Sequence, residues 1–424
     1  MLSFRKIIVG VCALLLSCFG QNAFASDNGQ VKIEIQDAAA IGMGGAFVGE
    51  ADRPSAVYYN PAGITQLNSI EASAGLTWVQ PQMKFEPTAG NTSEMKEDNY
   101  LFPNVFVTTP LIKNKLYLGI GESSDFAGGN DWEANGFSSG QTIKDSIEDQ
   151  DYRLVLAYKI NDQWSVGAGP VNDESSFEHD VALPAAIGGG NALFKATDDA
   201  WGFDLATMFK LNAQNQFGLD YKSPIHHNYD GTLYLSNLAF PMTLPSYFGG
   251  SSFSTKATQK LTLPQSVTLG YDFKPTNKWT FNFDLEWTDW AQYKQQITDY
   301  PNIGTTPATI LSSAPQARDW SAVWSESIGA QYAVTDKFRV RTGFEHHESP
   351  IPQSNFDTDY PDLTSNAVSF GVGYDITSRL TIDVAYVAGF EDSRKVTTTI
   401  DAPNLNGTYS GFVNIATMNL TYKF

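Results

Sequence analysis

The chain has 424 residues, of which 42% are hydrophobic, and a formal net charge of −19 at pH 7. A surface this acidic repels nucleic acid and anionic lipid headgroups, so nucleic-acid binding is excluded as a function. Both cysteines, Cys12 and Cys18, lie in the first 25 residues. If these residues are removed, disulfides, thiol catalysis and cysteine-bound metals are excluded as well.

Residues 1–25 are predicted to be a cleaved signal peptide. Basic Arg5 and Lys6 precede an apolar run of 14 residues, which is too short to span a membrane, and AFA (23–25) fits a cleavage site. Lipid attachment at Cys18 is a weaker alternative. Cleavage before Ser26 removes two of the 27 basic residues and leaves 25 against 46 acidic ones, a charge of −21.

Residues 26–67 are predicted to form a plug inside the domain that follows. The stretch from Gln36 to Leu67 is rich in alanine and glycine and breaks at Asn60-Pro61-Ala62. Pro61 fixes the backbone there, and the side chain of Asn60 can cap the adjoining turn. The alternative is a surface helix and loop ahead of a soluble β-domain.

Residues 68–424 are predicted to form an all-β, fourteen-stranded antiparallel transmembrane β-barrel. Apolar and polar residues alternate, most clearly from Trp279 to Trp287, and six short polar turns share a pattern seen in AYKINDQWSVG (157–167). Seven longer connections alternate with these turns, near 86–98, 122–149, 180–199, 230–257, 294–318, 349–364 and 391–410. Short turns at one end and long loops at the other are typical of an outer-membrane barrel, and not of two soluble sandwiches.

Two of the predicted strands are irregular. In residues 320–334 the lipid face would run from Trp320 through Glu326, and a carboxylate facing lipid costs about 2 kcal/mol near mid-membrane. A bulge or another register therefore fits better than a lipid-exposed Glu326. The third strand, predicted over 116–125, is expected to bend because Gly119 and Gly121 weaken it.

Two of the long connections contain many apolar side chains, which favours a binding site for a hydrophobic molecule. The candidate residues are Leu183, Ile187, Leu193, Phe194, Leu235, Leu238, Phe240, Leu244 and Phe248. The alternative is a local core that only folds the loops together, and both interpretations can hold at once.

Three motifs were weighed as possible chemical sites. GFSSG (136–140) matches a hydrolase motif but lacks the strand before it and the helix after it. His226-His227 and His346-His347 are neighbours on predicted strands, so their side chains point to opposite faces and cannot share one metal ion. No catalytic residue, metal or other cofactor is therefore predicted.

The plug and several later stretches resemble the FadL/TodX-type family of outer-membrane transporters of hydrophobic compounds. The similar stretches are GMGGAFVGEA followed by NPAG, then FPNVFVTTPL (102–111), LTLPQSVTLGY (261–271), WTDWAQY (287–293), RTGFEHHESPIP (341–352) and the closing YKF. The resemblance implies a fourteen-stranded barrel in a Gram-negative outer membrane, with a hatch carrying Asn60, Pro61 and Ala62. It also implies an outer groove on the third and fourth long loops, an inner site touching the N-terminus, and sideways exit at a kinked third strand.

The resemblance also implies basic contacts to a ligand carboxylate. Arg318 is the nearest candidate before the tenth strand, and His179 is the one possible cation at the outer end of the fifth strand. Arg153 is a further candidate in the lumen, where pairing with lumenal acids is the alternative. Since position 178 is Glu, uncharged hydrocarbons remain open as substrates beside long-chain fatty acids.

The expected activity is passive uptake of long-chain fatty acids by a monomer. The expected partners are the fatty acid or another hydrophobic small molecule, outer-membrane lipid and the barrel assembly machinery. A non-specific porin and an outer-membrane esterase are less favoured, since a porin would have no plug and would carry polar loops.

Overall fold

The structure is a computed structural model that describes residues 32–33, 35–88, 90–96, 98–185, 189–239, 250–301, 313, 315–397 and 403–424. In this part of the chain, fourteen antiparallel strands close into a barrel, as predicted. No helix among the described residues is long and apolar enough to cross a membrane.

The strands follow one another around the barrel in chain order. They are β1 (Glu71–Pro87), β2 (Tyr100–Ile112), β3 (Leu116–Ser123 and Ala127–Asp131), β4 (Lys144–Lys159), β5 (Trp164–Ala182), β6 (Asn191–Lys210), β7 (Asn215–Lys222 and Ile225–Ser236), β8 (Phe253–Leu263 and Ser266–Phe273), β9 (Trp279–Thr288), β10 (Val323–Ala333), β11 (Phe338–His347), β12 (Ser365–Asp375), β13 (Leu380–Glu391) and β14 (Gly407–Lys423). β1 pairs with β14 from Glu71 opposite Lys423 to Pro87 opposite Gly407, which closes the barrel. Closure satisfies the backbone groups at both ends of the sheet, as the membrane interior requires.

The short turns at one end of the barrel share a capping interaction that explains their repeated sequence pattern. In five of the described turns a polar side chain accepts hydrogen bonds from the backbone N–H groups two and three residues later. These side chains are Asn161, Asn212, Thr276, Thr335 and Thr377. Such side chains stabilise tight turns by mimicking a backbone acceptor. The described parts of the longer connections lie at the opposite end, as predicted.

β9 separates the lipid face from the lumen in the predicted manner. Its side chains Trp279, Phe283 and Leu285 are exposed on the outer surface, whereas Asn282 and Glu286 are buried inside. This alternation places large apolar groups against lipid and polar groups toward the lumen.

The prediction of a bulge or register shift at Glu326 is wrong. β10 pairs with β9 and β11 without interruption, and Glu326 is exposed on the outer face between Trp324 and Ile328. Glu326 lies three residues from the outer end of its strand, where a carboxylate costs little. Trp320 is not on this face, because it precedes the strand and is buried under the outer loops.

Residues 35–67 fill the lumen, and we call them the hatch. The hatch contains two short helices, α1 (Ala38–Ile41) and α2 (Ala56–Tyr59), and a 3-10 helix over Pro61–Gln66. Asn60 caps the 3-10 helix as predicted, since its Oδ1 accepts a hydrogen bond from the backbone N–H of Ala62 at 3.1 Å. Its Nδ2 donates to the carbonyl oxygen of Val48 at 3.0 Å, which ties the two halves of the hatch together.

Charged side chains fix the hatch to the wall. Asp284 of β9 accepts hydrogen bonds from the backbone N–H groups of Phe47 and Val48 at 2.7 and 2.8 Å. Arg53 of the hatch pairs with Asp383 of β13 at 2.5 Å. Hydrogen bonds to charged groups contribute about 1.5–3 kcal/mol each, so these contacts hold the hatch firmly.

Glycines in the wall allow the hatch backbone to touch the barrel. A Cβ atom added at Gly343 would lie 2.1 Å from the backbone nitrogen of Gly44, and one at Gly218 would lie 2.1 Å from the carbonyl oxygen of Val48. Gly167, Gly270 and Gly329 meet the hatch in the same way. Any larger residue at these positions would push the hatch away from the wall.

We expect Gly343→Val to displace the hatch and make the outer membrane leaky. The barrel should still form, because valine suits a strand and the pairing of β11 is unchanged. The measurement is sensitivity of intact cells to a polar antibiotic that the outer membrane normally excludes. Gly140→Val is the matched control, since an added Cβ there meets nothing within 4 Å. Equal antibiotic sensitivity of the two variants would contradict this role of the glycine.

Candidate functional site

The outer ends of the strands and the loops beyond them enclose one large apolar cluster, which we call the loop cluster. Trp320 lies among three other aromatic rings, with its ring centroid 5.0 Å from that of Trp290 and 5.0 Å from that of Tyr293. The main buried members of the loop cluster are Phe85, Phe126, Trp132, Phe177, Phe194, Tyr229, Leu233, Leu235, Leu238, Trp290, Tyr293, Trp320, Phe356, Tyr360, Leu363 and Tyr409.

The structure brings together part of the predicted apolar outer site. Phe194, Leu235 and Leu238 are buried in the loop cluster, and Leu183 packs against it. Leu193 points away from the buried face and lies opposite Tyr234. The remaining candidates Ile187, Phe240, Leu244 and Phe248 lie outside the described residues.

The strands extend further outward than the sequence indicates. Leu193, Phe194 and Leu235 are predicted in loops but lie in β6 and β7. β6 begins at Asn191, before the expected loop end at 199, and β7 continues to Ser236, past the expected loop start at 230. The outer parts of these strands carry polar residues on one face and cluster residues on the other. Without a lipid-facing stripe of large apolar groups, the outer segments resemble loops in sequence.

Arg318 is buried under the outer loops with its charge already balanced. Its side chain is 1% exposed and pairs with Asp357 and, at 3.0 Å, with Asp359. Burial lowers the pKa of Arg318, but the nearby Asp357 carboxylate raises it well above its ordinary value. For Asp359 the direction is opposite, because burial disfavours the charged carboxylate and so raises its pKa. The neighbouring His179 and Arg318 nevertheless hold the pKa of Asp359 below its ordinary value. A ligand carboxylate would have to displace one of these aspartates to reach Arg318.

His179, the second predicted contact, also has protein carboxylates as neighbours. Its Nδ1 lies 3.3 Å from Oδ2 of Asp145 on β4. Asp359 is the third member of this group, with its ligating oxygen within 4.8 Å of those of the other two residues. His179 thus belongs to a polar contact between strand ends and the connection after β11.

Arg153, the third predicted contact, lies in the lumenal wall near residues 124–126, where β3 is interrupted. It is 4% exposed and pairs with Asp125, Asp151 and Asp204 at 3.2–3.3 Å. Its guanidinium also lies 4.9 Å from the ring centre of Tyr58 in the hatch. All three basic candidates are therefore close to acidic side chains of the protein itself.

An apolar cavity of about 90 Å³ lies between the hatch and the wall formed by β9–β14 and β1. Its apolar lining includes Ile33, Ile35, Ile41, Val79, Val387 and Val413. Carboxylates of Glu286, Glu345 and Glu391 also line it. Lys32 is the one lysine or arginine among the described lining residues, and its Nζ pairs with Glu286. Lys32 is not among the predicted site residues, because nothing in the sequence places it against a cavity.

The described residues ahead of α1, which we call the N-terminal segment, cross the interruption of β3 at residues 124–126. Lys32 forms an antiparallel bridge with Phe126, and the backbone N–H of Ile33 donates to the carbonyl oxygen of Asp125 at 2.8 Å. The Gln36 side chain donates to the carbonyl oxygen of Ser124. The N-terminal segment therefore binds the backbone of β3 where β3 leaves β2.

β2 has no β3 partner beyond this point. Its last pair with β3 is Val105 opposite Glu122, so residues 100–104 of β2 face the interruption. Two of these residues, Tyr100 and Phe102, pack in one apolar cluster with Ile33 and Ile35. The wall at this place is made of side chains and the N-terminal segment, and not of a continuous ladder.

The predicted bend in β3 is present, but it lies beyond the two glycines. Gly119 and Gly121 are paired regularly with Thr108 and Phe106 of β2. A Cβ atom at Gly119 would lie 2.5 Å from the side chain of Val57, and one at Gly121 would lie 2.6 Å from the Phe106 ring. These glycines make room for the hatch and for Phe106, whereas the interruption falls at residues 124–126.

The family model described as outer membrane protein transport protein (OMPP1/FadL/TodX) matches residues 22–424. The chain belongs to this family. It is 24% identical over 384 residues to the long-chain fatty acid transport protein of Salmonella typhi, which covers 83% of this chain and 85% of that protein. It is 23% identical over 426 residues to the Escherichia coli K12 protein of the same name, covering 90% and 91%.

Two solved structures show the same fold. The Pseudomonas aeruginosa FadL homologue has a TM-score of 0.80 at 18% identity, covering 93% of this chain and all of that one. The Pseudomonas putida toluene transporter TodX has a TM-score of 0.73 at 18% identity, covering 92% and 99%.

Membership of the family settles the broad function of the chain. It is a β-barrel of the Gram-negative outer membrane that transports hydrophobic compounds, as predicted. Members of the family are channels and not enzymes, so the esterase alternative is wrong. The N-terminal hatch fills the lumen, which also separates this barrel from an open porin.

We expect Leu235→Asp to disrupt the loop cluster and to slow uptake at low concentrations of a hydrophobic substrate. Leu235 is 1% exposed, so the substitution buries an unpaired carboxylate and removes apolar contacts, at a cost of several kcal/mol. The measurement is the initial rate of uptake by cells at limiting substrate. Tyr234→Asp is the matched control, because Tyr234 is next to Leu235 in the sequence but is 47% exposed on the other face of the strand. If uptake slows equally in both variants, the loop cluster does not capture the substrate.

Proposed function

We propose that this protein takes up long-chain fatty acids passively. The loop cluster captures the acyl chain, the lumenal cavity receives it, and the interruption of β3 releases it sideways into the membrane. The observation that carries the proposal concerns Lys32 and Ile33. These two residues line the apolar cavity and also bind Asp125 and Phe126 at the interruption.

Physical chemistry favours sideways release over release into the periplasm. Each CH₂ group that leaves an apolar site for water costs about 0.8 kcal/mol, so a long acyl chain would leave slowly in that direction. Sideways movement into lipid keeps the chain out of water. The interruption of β3 is a place where the wall can open without breaking strand pairing, since residues 100–104 of β2 have no β3 partner.

The related proteins support a fatty acid as the substrate. The relatives from Salmonella typhi and Escherichia coli, which are named long-chain fatty acid transport proteins, match along most of their length. Lys32 provides the cationic group beside the cavity that a carboxylate headgroup requires, once the headgroup competes with Glu286.

A reversible lock between the N-terminal segment and β3 tests the path. Lys32 and Phe126 are bridge partners, so cysteines at both positions lie at a spacing that suits a disulfide. We expect the double variant Lys32→Cys/Phe126→Cys to take up little oleate when oxidised and to recover to the level of the single variant Lys32→Cys when reduced. The mature chain contains no other cysteine if the signal peptide is removed.

The single variants Lys32→Cys and Phe126→Cys are the controls for this lock. Neither can form the bond, so their uptake should not respond to oxidant. Full uptake by the oxidised double variant would show that the substrate passes without moving the N-terminal segment away from β3.

Neutral hydrocarbons are a second candidate substrate, favoured by a specific feature of the cavity. Its lining contains three glutamates but one lysine, and such a surface suits an uncharged guest better than an anion. The structural similarity to a toluene transporter agrees with this candidate without carrying it.

Substitutions at the Lys32–Glu286 pair distinguish the two substrates. If the carboxylate headgroup binds Lys32, Glu286→Gln should increase the affinity for oleate, because it removes the competing acid. Lys32→Met should reduce oleate affinity by about tenfold, the loss of one charge-assisted contact of roughly 1.5 kcal/mol. Uptake of a neutral alkane should respond to neither change. Oleate and alkane affinities that move together in both variants would assign the site to uncharged compounds.

A further inference from the structure

A group of buried carboxylates in the lumenal wall has no role in the transport path described above. Asp151 of β4 lies directly opposite Asp173 of β5. Asp149 is the next residue of β4 that points into the lumen, two residues from Asp151 towards the outer end of the strand. One carboxylate oxygen from each residue lies within 4.8 Å of those of the other two. The exposed fractions of Asp149, Asp151 and Asp173 are 6%, 0% and 0%.

These carboxylates are only partly satisfied by the residues that the structure describes. Oδ2 of Asp149 accepts a hydrogen bond from the backbone N–H of Phe126 at 2.8 Å, and Oδ2 of Asp151 pairs with Arg153 at 3.2 Å. In the described part of the chain, Oδ1 of Asp149 and Oδ1 of Asp151 have no hydrogen-bond partner. The same is true of both carboxylate oxygens of Asp173. Four buried carboxylate oxygens therefore accept no hydrogen bond from the described residues.

The nearby basic side chains do not balance this charge. Arg153 also contacts Asp125 and Asp204, and Lys222 contacts Asp125 at 3.4 Å. Arg153 and Lys222 thus serve Asp125, Asp151 and Asp204, which leaves Asp149 and Asp173 without a contacting lysine or arginine among the described residues. Nε2 of His227 lies 3.4 Å from Oδ1 of Asp173, and its Nδ1 lies 3.2 Å from Asp198. Burying unbalanced negative charges at this spacing is costly unless a cation or protons neutralise them.

We propose that Asp149, Asp151 and Asp173 bind a divalent cation, with Ca²⁺ the best match. Ca²⁺ takes six to eight oxygen ligands and prefers carboxylates, and it tolerates irregular geometry. One carboxylate oxygen from each of the three aspartates supplies the first ligands, and water completes the shell. Mg²⁺ fits less well, because it demands a near-ideal octahedron and keeps most of its water.

The cation would also stabilise the interruption of β3. Asp149 holds the backbone N–H of Phe126, the residue that is bridged to Lys32. Fixing Asp149 therefore fixes the outer edge of the interruption. The binding test below does not depend on transport, so its outcome is separate from that of the proposed function.

The test measures bound metal in protein that has folded with or without Ca²⁺. The full mature chain is refolded from urea into detergent in the presence of CaCl₂ or EGTA, desalted, and analysed for calcium by mass spectrometry. We expect one Ca²⁺ per chain in the wild type and at least a tenfold lower calcium content in Asp173→Asn. EGTA should lower the unfolding midpoint of the wild type and leave that of Asp173→Asn unchanged.

Asp145→Asn is the matched control, because Asp145 belongs to the separate group with His179 and Asp359. This variant should retain the bound Ca²⁺. If Asp173→Asn does not form a heat-modifiable barrel, Asp149→Asn replaces it, since asparagine still accepts a hydrogen bond from Phe126. A wild type that binds no Ca²⁺ would overturn the proposal and assign protons to the cluster. Loss of Ca²⁺ in Asp145→Asn, with retention in Asp173→Asn, would overturn it as well.

Discussion

The structure depends on satisfying the polar backbone of the hatch inside the barrel. A segment without long helices or sheet partners has many N–H and C=O groups, and each one left unpaired in a closed lumen costs free energy. The wall meets this demand with side chains such as Asp284, and with glycines such as Gly343 that let backbones touch. The same side chains that make the interior polar therefore make it specific for one plug.

The acidic composition has a direct consequence for substrate recognition. Several lumenal carboxylates bind hatch N–H groups or arginines, so the basic side chains described above already have acidic partners. Arg153 shows this most clearly, since three aspartates surround it. An anionic guest must compete for such a cation, whereas an apolar chain needs only space. Under the proposed function, most of the affinity then comes from the acyl chain, and the headgroup modulates it.

The sequence predicted the features that repeat and missed those that depend on pairing across the barrel. Alternation in β9 and the capped turns are local signals, so strand number and orientation could be read from them. The position of the bend in β3 could not, because Gly121 accommodates Phe106 from the next strand. The burial of Arg318 could not be predicted either, since its partner Asp357 is 39 residues away in another loop. Glu326 was misjudged because the sequence does not mark where the membrane ends.

In the proposed path the N-terminal segment serves as both plug and wall, so the barrel can open there without losing a strand. The Ile33–Asp125 and Gln36–Ser124 hydrogen bonds contribute about 1 kcal/mol each, and the pair between Lys32 and Glu286 adds a similar amount. Burying eight CH₂ groups of a guest yields roughly 6 kcal/mol gross, which exceeds these three polar contacts, while the packing of Ile33 and Ile35 adds to what holds the segment. A barrel ladder of ten or more bonds could not be displaced by so small a ligand. With the proposed exit at the interruption of β3, only this short segment has to move, and not a full strand ladder.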